Sequence, residues 1–493
     1  MGNDVIHDIG KEGERFLKAI NRELYENLAG LKKASDLREI YKSHSSLVDP
    51  ALFYSVKDLS PKDNEEEIGL RLILNFLARS VIGGKTARVK DEILTAELRE
   101  AIRINGKAIP YRSTPAEIKR EPKRIIREEI DKKRREKLLK INPLVLEVMD
   151  TMHSTSAELG FSSFIELCDK IEMLNLFKLE EKAKLFLNDT EYIYRDLLKW
   201  FLLKRMELQL KDAKSYDLES LFNSFELRAY FPKEDLKALA KAFLGEMGVE
   251  VGENIKTDLE ERMGKISRPF STAIQVPENI VLVIYPIGGI EDYESFFHEL
   301  GISLSYGNAE REDVFEFRRL REAASTEVFG ILFRNLLLQP RWLKRYLKLD
   351  TNSDFLRFLY LKQLTIIRLY CGKLIYELAL HKDEDFKGKP DLYKQTLEKA
   401  TLCEQNEEDY LNDVDRFFRS ASYLKASIIE SELKWHLREN FDEEWWREKA
   451  AGDFINKLWK EGGRTTSVEI ATKVGLKELD LTRLLGFFRQ VLG

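Results

Sequence analysis

The chain has 493 residues, with 80 Lys+Arg against 85 Asp+Glu, 26 Gly and 12 Pro. At about 150 residues per domain that is two to four units or one large helical body, and an apolar fraction of 43 % builds sizeable cores, which excludes wholesale disorder. Scarce Gly and Pro exclude collagen-like and many-turned all-β designs, and a net charge of −5 gives no overall basic field for non-specific nucleic-acid binding.

The N-terminus, MGNDVIHDIGKEGERF, has no apolar signal core, and Gly2 lacks the Ser/Thr pattern of myristoylation. Residues 11–33 and 66–81 space Leu, Ile and Phe at three and four positions between charges, which predicts helices. A β-hairpin is expected at 100–112, where Asn105-Gly106 is a two-residue turn signal. Residues 116–140 carry eleven basic and six acidic side chains, punctuated by Pro115, Pro122 and Pro143. Mixed signs at helical spacing predict a solvated helix face rather than a phosphate-binding run.

Beyond Pro143 the helical pattern resumes at 144–158, 161–174, 178–186, 188–210, 216–223 and 233–247. It breaks at 272–286, TAIQVPENIVLVIYP, whose β-branched residues around Pro277-Glu-Asn predict two short strands. A helix is then expected over 292–306, and another around Glu327. Phe355 to Leu380 is the most apolar stretch, but Arg357, Lys362, Arg368 and Lys373 make it a buried helix rather than a membrane span. The last segment, 466–493, reads as a helical hairpin around Gly475 and is too poor in basic residues for a DNA reader.

Cys168, Cys371 and Cys403 form neither C-x-x-C nor an even framework, which suits a reducing cytosol. Only seven Gln among 33 % charged residues fits a heat-adapted source. The expectation is a cytoplasmic protein with no membrane and no nucleic-acid partner, its oligomeric state open.

The segment with chemistry is Asp292-Tyr-Glu-Ser-Phe-Phe-His298-Glu299-Leu300-Gly301-Ile302-Ser303. In a His-Glu-x-x-His helix the two imidazoles share one face and reach one zinc, while the Glu polarises the bound water. Here Ile302 holds the second His position. A His-Glu pair alone is a weak signal, since six His among many Glu produce about one by chance. Glu327, 29 positions after His298, lies on a following helical segment, 318–333, where a third ligand commonly comes from. His153, His381 and His436 stand isolated in sequence.

These stretches together resemble the thimet oligopeptidase and oligoendopeptidase F family of zinc metallopeptidases. The resemblance runs through Arg268-Pro-Phe-Ser-Thr, Val276-Pro277, Pro286-Ile-Gly-Gly-Ile-Glu-Asp292, Phe297-His298-Glu299-Leu-Gly301, Ser325-Thr-Glu327-Val-Phe-Gly and Asp413-Val-Asp-Arg-Phe-Phe-Arg-Ser-Ala-Ser-Tyr423. Weaker similarity covers 158–232. It implies a mainly α, zincin-like, two-lobed fold with a deep cleft and a small sheet beside the metal-motif helix. The expected division is an N-terminal helical lobe over 1–141 and a peptidase-like body over 142–493. It further implies His298 and Glu327 as zinc ligands, Glu299 as general base and Tyr423 as donor to the substrate carbonyl. Ile302 cannot coordinate zinc, and Arg419 stands near where the family often has an aromatic hydroxyl, a cation opposed to a metal. Without zinc, Glu327 needs Arg419, Lys425 or protonated His298 as its partner. The reading is therefore a metallopeptidase-like protein that has lost zinc-dependent catalysis and binds a peptide or protein partner in the cleft. The alternative is an active zinc-dependent oligopeptidase with a substitute ligand.

Overall fold

Long amphipathic and buried helices dominate, as the three- and four-residue spacing predicts. The structure is a computed structural model that describes residues 2–223, 225–383 and 385–492. In the first part lie α1 (Gly2–Leu28), α2 (Asn64–Arg99), α3 (Arg124–Glu158) and α4 (Leu176–Met206). Helix α2 begins where the Asp63 carboxylate accepts a hydrogen bond from the Glu66 amide at 2.9 Å. It does not stop near 81 as expected but runs through Gly83-Gly84. A Cβ on Gly83 would lie 2.0 Å from the Tyr41 hydroxyl, so these glycines are there for close packing rather than for an ending.

Two other expected breaks are absent. Pro143 sits inside α3, whose Ile141, Val148 and Met152 are buried; core packing outweighs the lost backbone hydrogen bond. The separate helices expected at 178–186 and 188–210 are one helix, α4. Asn188 and Asp189 face water, while the Thr190 hydroxyl bonds back to the Phe186 carbonyl at 2.7 Å.

The hairpin is formed by β1 (Ala101–Ile104) and β2 (Lys107–Pro110), with Asn105 and Gly106 both at positive φ, 47° and 80°. A second sheet contains β3 (Ile255–Asp258), β4 (Phe270–Gln275) and β5 (Asn279–Val283), in the order β3-β5-β4. The last two are the predicted pair, antiparallel around the Pro277 turn. The first pairs in parallel with β5 and has too little apolar pattern (Ile-Lys-Thr-Asp) to be read from sequence.

Next come α5 (Ile290–Gly307), α6 (Ala323–Arg334), α7 (Ser353–His381) and α8 (Arg419–Asn440). The expected helix over 318–333 is divided: residues 319–322 are not helical, and α6 starts at Ala323. Its residues Thr326 to Phe333 are all buried, packed between α5 and α8. The C-terminal hairpin is present as helices Ser467–Lys473 and Thr482–Leu492, with Gly475 at φ 79°. One hydrophobic core runs from Ile9 to Leu492. Among the described residues no helix is long and apolar enough to cross a membrane. The described residues are mainly α with two small sheets.

Candidate functional site

Two glycine-backed helices make the site. A Cβ on Gly301 of α5 would lie 2.3 Å from the Phe329 carbonyl oxygen of α6, and a Cβ on Gly330 would lie 2.9 Å from His298 Nε2. The glycines let these helices meet backbone to backbone, which delivers His298 to Glu327. In the first turn of α5 the buried Asp292 carboxylate accepts from the Ile287 and Gly288 amides at 2.8 and 2.9 Å and so fixes the loop that leads into the helix.

His298 Nε2 lies 3.0 Å from Glu327 Oε2, and His298 Nδ1 lies 3.3 Å from Glu299 Oε1. The other Glu327 oxygen accepts from Arg419 Nη2 at 2.7 Å. Glu327 is 3 % exposed whereas the Arg419 side chain is 59 % exposed, so the ion pair has a buried acid and a water-facing base. Burial alone lowers a histidine pKa, but the hydrogen bonds and charges of Glu299 and Glu327 outweigh it and lift His298 to about 9. For Glu327, burial acts upward and is overcome by the Arg419 charge and by His298, which together hold it at about 2. At neutral pH the site is therefore an ion triad: Arg419 and imidazolium His298 on one carboxylate.

Glu299 turns toward β4. The Ser271 hydroxyl is 2.7 Å from Glu299 Oε2 and 3.0 Å from its backbone oxygen, and Ser303 Oγ is 3.1 Å from Ser271 Oγ. Ser271 lies within one of the stretches that carry the resemblance, yet no spacing rule ties a strand residue to a helix residue 28 positions later. Tyr423 is one turn beyond Arg419 on α8 and 4 % exposed; its ring stacks on Tyr370 at 3.9 Å and lies beside Arg334. Burial pushes its phenol pKa up. So His298, Glu299 and Glu327 are brought together, with Tyr423 on the next helix and packed in an aromatic stack.

Of the three partners expected for Glu327, Arg419 and His298 are found and Lys425 is not. Lys425 Nζ instead donates to Glu322 at 3.1 Å and to the Met173 carbonyl at 2.8 Å. His436 lies away from the site and stacks on Phe454. His153 and His381, isolated in sequence, meet at 2.9 Å across 228 positions, in a cage with Phe164, Phe386 and Phe418. The three cysteines are free and buried.

The donor set does not fit zinc. Ile302, 7 % exposed, has no lone pair to offer, and Arg419 places a fixed cation on the one carboxylate available. Among the described residues no three His, Cys, Asp or Glu side chains converge as metal ligands.

No protein-family model matches the chain, and no curated protein matches it. Solved structures do. A protein described as oligoendopeptidase F superposes with a TM-score of 0.68 at 13 % identity, covering 96 % of this chain and 91 % of that one. An oligoendopeptidase F from Bacillus anthracis gives 0.64 at 14 %, covering 92 % and 84 %, and a carboxypeptidase from Pyrococcus furiosus gives 0.58 at 13 %, covering 99 % of both. Over nearly its whole length, then, this chain has the fold of the oligoendopeptidase F type of peptidase.

Proposed function

We propose that this chain is a peptidase-fold protein that holds a peptide, or a segment of a partner protein, beside His298 without zinc-dependent hydrolysis. The observation that carries the reading is the ion triad of Arg419, Glu327 and His298 in the position the resemblance gives to a metal. A metal there would have to displace a guanidinium and deprotonate an imidazole held at about 9. Glu299, spanned between Ser271 and His298, then positions side chains instead of activating water. The three free, buried cysteines support work in a reducing compartment, the cytoplasm.

The test is metal analysis of purified protein together with a panel of fluorogenic peptides and an anisotropy assay of unlabelled cleavage-resistant competitors. The expected result is substoichiometric zinc, no chelator-sensitive cleavage and saturable peptide binding. Stoichiometric zinc with cleavage abolished by Glu299→Gln would overturn this reading in favour of an active oligopeptidase, with Glu299 as base and Tyr423 as carbonyl donor.

A further inference from the structure

Next to the ion triad the fold gathers more cations than its carboxylates pair. On α2, Arg79, Lys90 and Glu97 are spaced by 11 and 7 residues, near whole numbers of turns, so they share one helix face. That face meets the segment before α8. The Arg79 guanidinium stacks on the Phe417 ring, 4.1 Å from its centre. Phe417 and Phe418 both have left-handed backbone, φ 59° and 52°, a conformation bulky residues rarely adopt, and it sits between Arg416 and Arg419.

The neighbouring acids are already engaged. Glu172 is paired with Arg79 at 2.5 Å, Glu97 with Arg112 at 3.4 Å and Glu327 with Arg419 at 2.7 Å. Lys90, Arg268 and Arg416 form no ion pair among the described residues, though Arg416 and Arg268 are both near enough to Glu97 to act on its charge. Burial, then the repulsion of Arg416 and Arg79, brings the Lys90 amine down to about 7. The positive field continues to Tyr306, one turn past Ile302 on α5, on which the charges of Arg321, Arg319 and Arg419 act. Arg319 is 4 % exposed and its buried Nη1 has no hydrogen-bond partner.

Cations held together without counter-ions cost stability, and such a cost is characteristic of a binding site whose ligand supplies the opposite charge. Arg79 and Lys90 alone are about 16 Å apart along the helix axis, the reach of about five residues of extended chain and too far for one small ion. We propose that this surface binds an acidic peptide segment, with carboxylates at several positions, drawn past Lys90, Arg416 and Arg79 toward Tyr306 and His298. The proposal rests on the peptide-binding reading above and names the class of peptide.

Fluorescein-labelled decapeptides of Glu/Ala, Ser/Gly and Lys/Ala composition are titrated by anisotropy at ~20 and ~200 mM salt, with an oligonucleotide of matched charge and tripolyphosphate as competitors. The Glu/Ala peptide is expected to bind at least about tenfold tighter than the neutral one, with the gap closing in high salt. Lys90→Met and Arg416→Gln should each weaken it several-fold while leaving the neutral peptide unaffected. Because they relieve repulsion, the same substitutions should hold or raise Tm, whereas a purely structural role would lower it. Saturation with the acidic peptide should also raise the Lys90 amine pKa, read by NMR of the 13C-methylated protein. Equal affinity for acidic and neutral peptides overturns the charge preference and leaves peptide binding intact. Tighter binding of the oligonucleotide or tripolyphosphate overturns the peptide assignment, and no binding by any peptide overturns both proposals.

Discussion

The His298 imidazolium and the Glu327 carboxylate each sustain the other's charge, and that sets how the site answers to pH. His298 has a higher pKa folded, about 9, than its ordinary 6.5, so its contribution to stability is complete below about 6.5 and is lost as pH rises through 9. Glu327 is held at about 2 against an ordinary 4.5, so its contribution is complete above 4.5 and is lost as pH falls through 2. Both are present together between 4.5 and 6.5. In a series of Tm measurements, the stability gap between the native protein and Glu327→Gln is expected to be widest in that window and to narrow on the alkaline side. The same substitution should drop the His298 pKa toward its ordinary value, visible in imidazole NMR titration. Ile302 and Arg419 make a second pair of predictions. Ile302→His alone supplies a second imidazole but leaves the guanidinium on Glu327, so zinc binding stays weak. Adding Arg419→Met to it should raise zinc affinity by roughly 100-fold over the single variant, as expected for freeing one protein ligand, measured by competition with a chromophoric chelator.

At the scale of elements, the site depends on how closely α5 and α6 approach. Gly301→Ala would press a methyl onto the Phe329 carbonyl, backbone that cannot turn aside, and should cost about 2–3 kcal/mol in urea unfolding. Because the helices must then separate, His298 and Glu327 part as well, and the raised His298 pKa should fall even though neither residue is changed. Much of this was legible beforehand. The helical spacing, the Asn105-Gly106 hairpin, the strand pair around Pro277 and the placing of His298, Glu299 and Glu327 all follow from local pattern or from the resemblance. What was not legible depends on contacts distant in sequence. Gly83-Gly84 and Pro143 look like terminators until their packing is seen. Ser271 reaches Glu299 from a different element, and β3 becomes a strand only because β5 lies beside it. The His153–His381 contact joins α3 to α7 with no periodicity to announce it.

For the molecule as a whole, scarce Gly and Pro are expressed as helices of 27 to 36 residues joined through one core. Residues 141 and 142, where a division of the chain was expected, lie inside α3. A fold shared at 13 % identity is carried by packing pattern rather than by particular side chains. One arrangement ties the first helix to the middle of the chain: α1 lies along β4, an outer strand of its sheet. Asn21 Nδ2 donates to the Ala273 carbonyl at 2.8 Å, and Lys18 Nζ to Gln275 Oε1 at 2.8 Å. An outer strand with free carbonyls is a template on which a second copy can add its own strand and begin to aggregate. The first helix thus covers this edge of the sheet. Asn21→Ala combined with Lys18→Ala should leave the protein folded by circular dichroism yet produce concentration-dependent light scattering on mild warming, at temperatures where the native protein stays clear.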